Sequence, residues 1–265
     1  MLELKNIVKI FNAGTVNEKV ALNDFSLTLD DGDFVTVIGG NGAGKSTMLN
    51  AVAGAFPVDG GQIIIDGTDV TKLPEHKRAK YIGRVFQDPM MGTAGDMWVE
   101  ENLAIADRRG KSRGLKWAIT KKDREKYRAA LTELGLGLEN RLTTKMKLLS
   151  GGQRQAVTLL MAAMEKPKLL LLDEHTAALD PATAEKVLAL TRRVVAESRI
   201  TCLMVTHNMH QALELGNRTL MMADGHIVLD VAGSERAGMG VDDLIARFKA
   251  GAGHELDNDR ILLSE

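Results

Sequence analysis

The sequence predicts an α/β fold: a mostly parallel β-sheet with flanking helices, interrupted by a helical insertion. Three observations predict it. Apolar and polar residues alternate near the start, as in 2–10 and 25–29, with the period of half-buried strands. Later apolar runs alternate with stretches of helical length, the order that builds a parallel sheet. Between about 88 and 150 the β-branched runs disappear, and charged helical patterns such as 121–134 replace them.

The remaining elements follow in order along the chain. Strands are predicted at 33–38, 62–66, 81–86, 168–173 and 200–206. Helices are predicted at 45–55, 152–165 and 182–198. Two short strands surround Asp224-Gly225, and a last helix is expected near 241–249. We therefore expect one core formed by 1–87 and 151–265, with 88–150 as a helical subdomain inserted into it.

Composition excludes several classes of protein. The 265 residues carry 34 Lys and Arg against 35 Asp and Glu, and only 4% are aromatic. We therefore expect no nucleic-acid partner, since such proteins rely on basic surfaces and aromatic stacking. Cys202, the one cysteine, excludes an internal disulfide, and its apolar surroundings favour a buried core position. No apolar run approaches membrane-spanning length, and the first residues do not resemble a signal peptide.

One basic stretch stands out within the predicted insertion. Residues 108–128 hold ten Lys and Arg and two acidic residues. Such a run is commonly the solvated face of a helix. The alternative is a contact surface for a partner protein, and the sequence leaves both interpretations open.

The segment 39–46 is GGNGAGKS, which matches the phosphate-binding pattern G-x-x-x-x-G-K-[ST] between an apolar strand and a helix. Its glycines allow backbone N–H groups to converge on phosphate oxygens, and the helix directs its N-terminal dipole at the same anion. We expect Lys45 to reach the β- and γ-phosphates and Ser46 to ligate Mg²⁺. The expected nucleotide-binding residues of this loop are Gly39, Asn41, Gly42, Ala43, Gly44, Lys45, Ser46 and Thr47.

The segment 169–174, LLLLDE, supplies the second half of such a site. Four leucines predict a buried strand, and ligands of open α/β sheets gather at the carboxyl ends of such strands. Asp173 is then placed to hold Mg²⁺, and Glu174 to polarise or deprotonate the water that attacks the γ-phosphate. A pair of helix-capping carboxylates is the structural alternative.

The segment 149–153, LSGGQ, precedes a long predicted helix and offers a second anion-binding helix start. Ser150 is also expected to cap that helix. Together with the phosphate-binding loop, Asp173-Glu174 and His207, this segment resembles the signature of the ATP-binding-cassette (ABC) ATPases, P-loop NTPases with N-terminal antiparallel strands. The resemblance extends from the first strand to about residue 230.

The resemblance implies a role for each matching residue. Phe11 would stack on adenine, or else be an edge-strand core aromatic. Gln87 would reach Mg²⁺ and the attacking water and join the core to the insertion, and His207 would contact the γ-phosphate. Asp180 would lie in the loop that crosses a head-to-tail dimer. The segment that would contact the γ-phosphate bound by the opposite subunit comprises Ser150, Gly151, Gly152 and Gln153.

One position departs from the family pattern. The family commonly has Asp-Glu-Pro-Thr, whereas this chain has His175 between Glu174 and Thr176. Asp173 and Glu174 remain in place, so the resemblance still implies hydrolysis. His175 as a metal ligand or second base is a minor alternative.

The resemblance implies an ATPase subunit that binds ATP and Mg²⁺ and drives integral-membrane permease subunits from the cytoplasmic face of the cell membrane. Its partners would be a second copy of itself, the permease and, indirectly, an extracytoplasmic solute-binding protein. The sequences of 97–103 and 174–180 resemble those of cassette subunits from bacterial amino-acid uptake systems. The hypothesis for the solute is an aromatic or branched-chain amino acid. An exporter, a lipoprotein-release cassette or a soluble non-transport ATPase stays open as an alternative.

Overall fold

The computed structural model describes residues 1–111 and 119–251. Its strands are β1 (Leu2–Phe11), β2 (Lys19–Leu29), β3 (Phe34–Gly39), β4 (Gly60–Ile65), β5 (Thr68–Asp69), β6 (Ile82–Val85), β7 (Leu169–Asp173), β8 (Thr201–Val205), β9 (Arg218–Ala223) and β10 (His226–Ala232). Its helices are α1 (Lys45–Ala53), α2 (Glu75–Arg78), α3 (Val99–Asp107), α4 (Lys121–Thr132), α5 (Gly151–Ala163), α6 (Pro181–Ser198), α7 (Met209–Glu214), α8 (Gly233–Ala237) and α9 (Val241–Gly251). Two compact units result. Among the described residues, unit 1 comprises 1–78 and 199–251, and unit 2 comprises those within Ala79–Ser198.

Unit 1 contains two groups of paired strands. In the first, β1 lies antiparallel between β2 and β4, and β5 pairs with β4. In the second, β3 lies parallel to both β8 and β9, and β10 is antiparallel to β9. All six residues of β3 are buried, as expected for a strand covered on both faces. The predicted parallel strands and antiparallel N-terminal strands are thus confirmed.

Unit 2 combines a short parallel pair with helices. β6 runs parallel to β7, and α5 packs against β6 and α6. The described part of 88–150 forms α3, α4 and two 3₁₀ turns, Leu138–Asn140 and Met146–Leu148. An apolar cluster joins these elements to α5; its buried members are Val99, Leu103, Ala104, Tyr127, Leu131, Leu138, Leu142, Met146, Leu149 and Val157.

Several element boundaries differ from the predicted ones for local reasons. The helix predicted at 45–55 ends at Ala53, because Gly54 adopts a left-handed φ of 81° and closes it. The strand predicted at 25–29 in fact begins at Lys19. Asp24, at φ 51°, interrupts the alternation of apolar and polar residues with an irregular register, so the pattern revealed only the second half of the strand. Cys202 is fully buried in β8, as predicted, and burial raises the pKa of its thiol.

The basic stretch 108–128 makes contacts within unit 2. Arg124 donates two hydrogen bonds, of 2.8 and 3.0 Å, to the buried carboxylate of Glu100. Lys111 bridges to Glu165 at 2.6 Å. Arg109 donates to the Ala162 carbonyl at 2.7 Å. These cations therefore brace the unit's own helices, and residues 112–118 of the stretch lie outside the described residues.

In the described ranges, no helix combines the length and the apolar character that crossing a membrane requires.

Candidate active site

The phosphate-binding loop of unit 1 joins a buried strand to a helix through one sterically demanding glycine. Gly39 ends β3 with φ 150°, and a Cβ atom there would lie 2.2 Å from the Met222 carbonyl oxygen of β9. Only glycine permits that approach. The backbone of β9 therefore fixes the point at which the chain leaves β3 and turns into the loop.

Lys45 and Ser46 begin helix α1 at the end of this loop. The buried Lys45 ammonium donates to the carbonyls of Gly39 at 2.6 Å and Gly40 at 2.9 Å. The N-cap residue is Gly44, which has no side chain to cap the first-turn N–H groups, and Ser46 is exposed. A lysine, a hydroxyl and helix N–H groups thus converge, as an anion site requires.

A buried arginine closes the other end of α1. Arg78 is 2% exposed and donates to the carbonyls of Ala51 at 2.7 Å and Val52 at 2.9 Å. It also bonds the carbonyls of Leu73 and Thr71. A cation at a helix carboxyl end interacts favourably with the dipole. Sequence reasoning missed Arg78, because it stands in a short charged stretch that looks like surface.

Phe11, the predicted adenine-stacking residue, lies at the end of β1 and is partly exposed. Its ring packs edge-on against Phe56 at 5.5 Å between centroids. The Lys9 ammonium lies 5.4 Å from the Phe11 centroid and forms an ion pair with Asp59 at 3.1 Å. The two aromatic rings and the lysine thus support one another.

His207 follows β8 in unit 1 and precedes α7. The hydroxyl of Thr206 accepts from the Asn208 amide at 3.1 Å, and the Asn208 side chain caps α7 by accepting from Gln211 at 2.9 Å. These two bonds shape the turn that carries the partly exposed His207. The turn is therefore held by its neighbours on both sides of the histidine.

In unit 2, Asp173 and Glu174 stand where β7 ends, as predicted. Glu174 has φ 44°, a left-handed conformation that costs a non-glycine residue about 1–2 kcal/mol. The Arg84 guanidinium lies 3.8 Å from the Asp173 carboxylate and stacks over Phe86 at 4.4 Å. Sequence reasoning missed Arg84. A lone arginine inside a short apolar strand was the available signal.

Gln87 is exposed just after β6, at the start of the turn that leads toward the helices of 88–150. The preceding carbonyl, that of Phe86, accepts from the side chain of Gln155 at 3.3 Å. Gln155 is 1% exposed on α5. The helix that Ser150 precedes, α5, is thus hydrogen-bonded to the residue before Gln87, a contact that no local pattern indicated.

Ser150 caps α5 as predicted. Its hydroxyl accepts from the Gln153 amide at 3.3 Å, and the Gln153 side chain accepts from the Ser150 amide at 3.3 Å. This reciprocal pair is a capping box. Gly152 allows close packing on α6, since a Cβ atom there would lie 1.9 Å from Thr183 Cγ2.

Asp180 and His175 anchor the loop between β7 and α6. Asp180 accepts from the Thr183 amide at 3.1 Å, and the Thr183 hydroxyl and amide lower the pKa of Asp180. His175 is 1% exposed, and burial lowers its pKa to about 4, so the ring is neutral at pH 7. The structure thus gives His175 an interior position within this loop.

ATP and Mg²⁺ fit the chemistry of these residues. The donors at Lys45 and the start of α1 suit a polyphosphate. The oxygen atoms of Ser46, Gln87 and Asp173 are of the type that Mg²⁺ prefers, and this ion is commonly held by one or two carboxylates plus substrate phosphates. Among the described residues, no group of three or more His, Cys, Asp or Glu could hold a metal ion.

Comparison with known proteins gives consistent matches. The family model described as ABC transporter matches residues 22–177. A tyrosine transport ATP-binding protein of Clostridioides difficile is 43% identical, over 94% of this chain and 99% of its own length. A methionine import ATP-binding protein of Corynebacterium efficiens is 34% identical, and the chain covers 61% of it. A dimeric ATP-binding cassette with bound ADP and phosphate superposes with TM-score 0.76 at 30% identity, over 88% of this chain and 98% of that one.

Proposed function

Because this chain belongs to the ABC transporter family of ATPases, we propose that it is the ATP-hydrolysing subunit of a transporter that takes up an amino acid. The observation that carries the proposal is the phosphate-binding loop of unit 1. There, a buried strand, a glycine that tolerates no Cβ and a helix start without a side-chain cap place Lys45 and Ser46 beside first-turn N–H groups.

We assign the chemical steps to residues of both units. Lys45 and the first-turn N–H groups would bind the β- and γ-phosphates, and Phe11 would stack on adenine. Ser46, Asp173 and Gln87 would hold Mg²⁺, which supplies charge neutralisation at the phosphates. Glu174 would accept the proton of the attacking water. His207 would stabilise the γ-phosphate. The water oxygen would bond to the γ-phosphorus as the bond from that phosphorus to the β-phosphate oxygen breaks, leaving ADP and phosphate, and Glu174 would then release its proton to the phosphate or to solvent.

A second copy of the chain would complete the site. We propose a head-to-tail dimer in which Ser150, Gly151, Gly152 and Gln153 of one copy contact the γ-phosphate bound by the other, with Asp180 at the interface. Supporting this, Ser150 and Gly151 are exposed at the start of a 13-residue helix. A solved relative is described as a dimer with bound ADP and phosphate, which supports the dimer in this proposal.

We propose that permease subunits dock on unit 2 and so hold the chain at the cytoplasmic face of the membrane. Its exposed large apolar side chains include Met90, Met91, Trp98, Ile105 and Leu148. Trp98 is the N-cap residue of α3, and Ile105 lies in the last turn of the same helix. In this proposal, 88–150 is the docking subdomain, inserted into an ATP-binding core of 1–87 and 151–265.

The solute would be an aromatic amino acid, delivered by an extracytoplasmic binding protein. The support is the name of the 43% identical relative, a tyrosine transport ATP-binding protein. The methionine import relative and a spermidine/putrescine import relative of Haemophilus influenzae, 32% identical, also belong to uptake systems. Uptake is therefore favoured over export or a soluble role.

Glu174→Gln tests both the assignment of the general base and the assignment of the solute. We expect ATP to bind normally and hydrolysis to fall at least about a hundredfold, because a positioned general base contributes about 10²–10⁴. Cells whose only copy carries Glu174→Gln should lose tyrosine uptake. The control is Glu185→Gln, an equal charge change on the exposed face of α6. Near-normal hydrolysis by Glu174→Gln would remove the general base, and lost hydrolysis with intact tyrosine uptake would remove the solute assignment.

A further inference from the structure

His175 reaches from the end of β7 to the middle of α6 by a single hydrogen bond. Its Nε2 atom lies 3.0 Å from the Thr191 hydroxyl, and both side chains are buried to within 1%. Thr191 belongs to the interior of an 18-residue helix, well away from either end. The bond therefore ties the residue beside Glu174 to a rigid element.

The direction of this hydrogen bond follows from the partners of Thr191. The Thr191 hydroxyl donates its one hydrogen to the Val187 carbonyl at 2.9 Å, as in an i to i−4 helix bond. It can therefore only accept from His175, so Nε2 carries the proton. The other nitrogen, Nδ1, is buried and has no hydrogen-bond partner among the described residues. The polar anchoring of this ring thus comes from Nε2.

Glu174 needs such an anchor. Its φ of 44° is unfavourable for a residue with a Cβ atom, and strained conformations persist only where surrounding structure fixes them. On one side β7 fixes the backbone through Asp173, and on the other the next residue is His175. A proline at this position would stiffen the backbone itself. Here a buried side chain fixes the peptide instead.

We propose that His175 is a positioning residue for Glu174: its hydrogen bond to Thr191 holds the Glu174 backbone in its left-handed conformation and so aims the carboxylate at the attacking water. The proposal rests on the assignment of Glu174 as general base. It predicts that losing the bond slows the chemical step and leaves ATP binding, which depends on the loop of unit 1, unaffected.

Two substitutions remove the bond from opposite ends. We expect His175→Leu and Thr191→Val each to lower kcat about tenfold to a hundredfold with KM for ATP within about twofold, because small displacements of reacting groups cost this much. His175→Gln, whose amide nitrogen can replace Nε2, should restore kcat to within about threefold. The matched control is Thr158→Val, which removes a similar buried i to i−4 bond, to Arg154, on α5.

Positioning is separated from general stability by measuring the hydrolysis rate in the Glu174→Gln variant. There, adding Thr191→Val should change the residual rate less than about twofold, since the group being positioned is already disabled. An equal loss in both backgrounds would show that the bond only stabilises the fold and would overturn the proposal. Unchanged kcat in Thr191→Val would also overturn it, and this variant gives the answer even where His175→Leu fails to fold. Near-normal hydrolysis by Glu174→Gln alone would instead overturn the assignment of Glu174.

Discussion

The loop 39–46 of unit 1 and the segment 174–180 of unit 2 are held in place by different kinds of contact. In the loop, main-chain atoms do most of the fixing. Gly39 packs against the Met222 carbonyl, and Lys45 folds back onto the carbonyls of Gly39 and Gly40. In the segment, backbone hydrogen bonds close the turns at 174–177 and 176–179, and side chains attach it to α6, through His175 on Thr191 and Asp180 on the Thr183 amide.

The difference has consequences for tolerance to substitution. A loop fixed by backbone contacts depends on glycine, because any Cβ atom meets main chain that cannot move aside. A segment fixed by side chains can change its anchors, provided that another buried group supplies the hydrogen bond. This is consistent with a phosphate-binding loop that keeps its full pattern here and a His175 that replaces the usual proline.

Gly39→Ala should have the largest effect on stability. The added Cβ atom would lie 2.2 Å from the Met222 carbonyl oxygen at φ 150°, so either β3 or β9 must shift. We expect the free energy of unfolding in urea to fall by about 3 kcal/mol or more, in the range of severe backbone strain and overpacking. Asn41→Ala, at an exposed position of the same loop, should change it by less than about 0.5 kcal/mol. Equal stability of the two variants would show that backbone contacts do not fix this loop.

Gly152→Ala should have a smaller effect, because its new neighbour is a side chain. The added Cβ atom would lie 1.9 Å from Thr183 Cγ2, and overpacking of this kind costs about 1–3 kcal/mol. Gly151→Ala is the matched control, since its Cβ atom would lie 3.5 Å from Leu179, an ordinary contact. Thermal unfolding of the two variants compares them. A loss at Gly151→Ala as large as that at Gly152→Ala would contradict the packing of α5 on Thr183.

The fold was predictable because its elements have strong local patterns. Apolar runs such as Leu169–Asp173 identified the buried strands, and the glycine pattern of 39–46 identified the phosphate-binding loop. The positions of Asp173, Glu174, Ser150 and Asp180 at the ends of strands and helices follow from the same patterns.

Apart from the element boundaries, the unpredicted features depend on contacts between residues far apart in the chain. Arg78 donates to the carbonyl of Ala51 at the end of α1, 27 residues earlier in the chain. Gln155 donates to the carbonyl of Phe86, 69 residues earlier. The bond from His175 to Thr191 needs the packing of α6, which no pattern around residue 175 reveals. Local sequence patterns indicate whether a segment forms a helix or a strand. They do not indicate which distant residue will form a hydrogen bond with a given buried side chain.

The proposed head-to-tail dimer is tested by placing two defects on mixed dimers of differently tagged chains, all carrying Glu174→Gln to prevent turnover. With Lys45→Ala on one chain and Ser150→Arg on the other, one composite site keeps an intact loop facing an intact signature. With both changes on one chain, each site has one defect. Because a two-fold dimer has two equivalent sites, we expect about one occluded ATP per dimer in the first arrangement and far less in the second. Equal occupancy in the two arrangements would contradict the proposal that Ser150 acts on the nucleotide of the opposite copy.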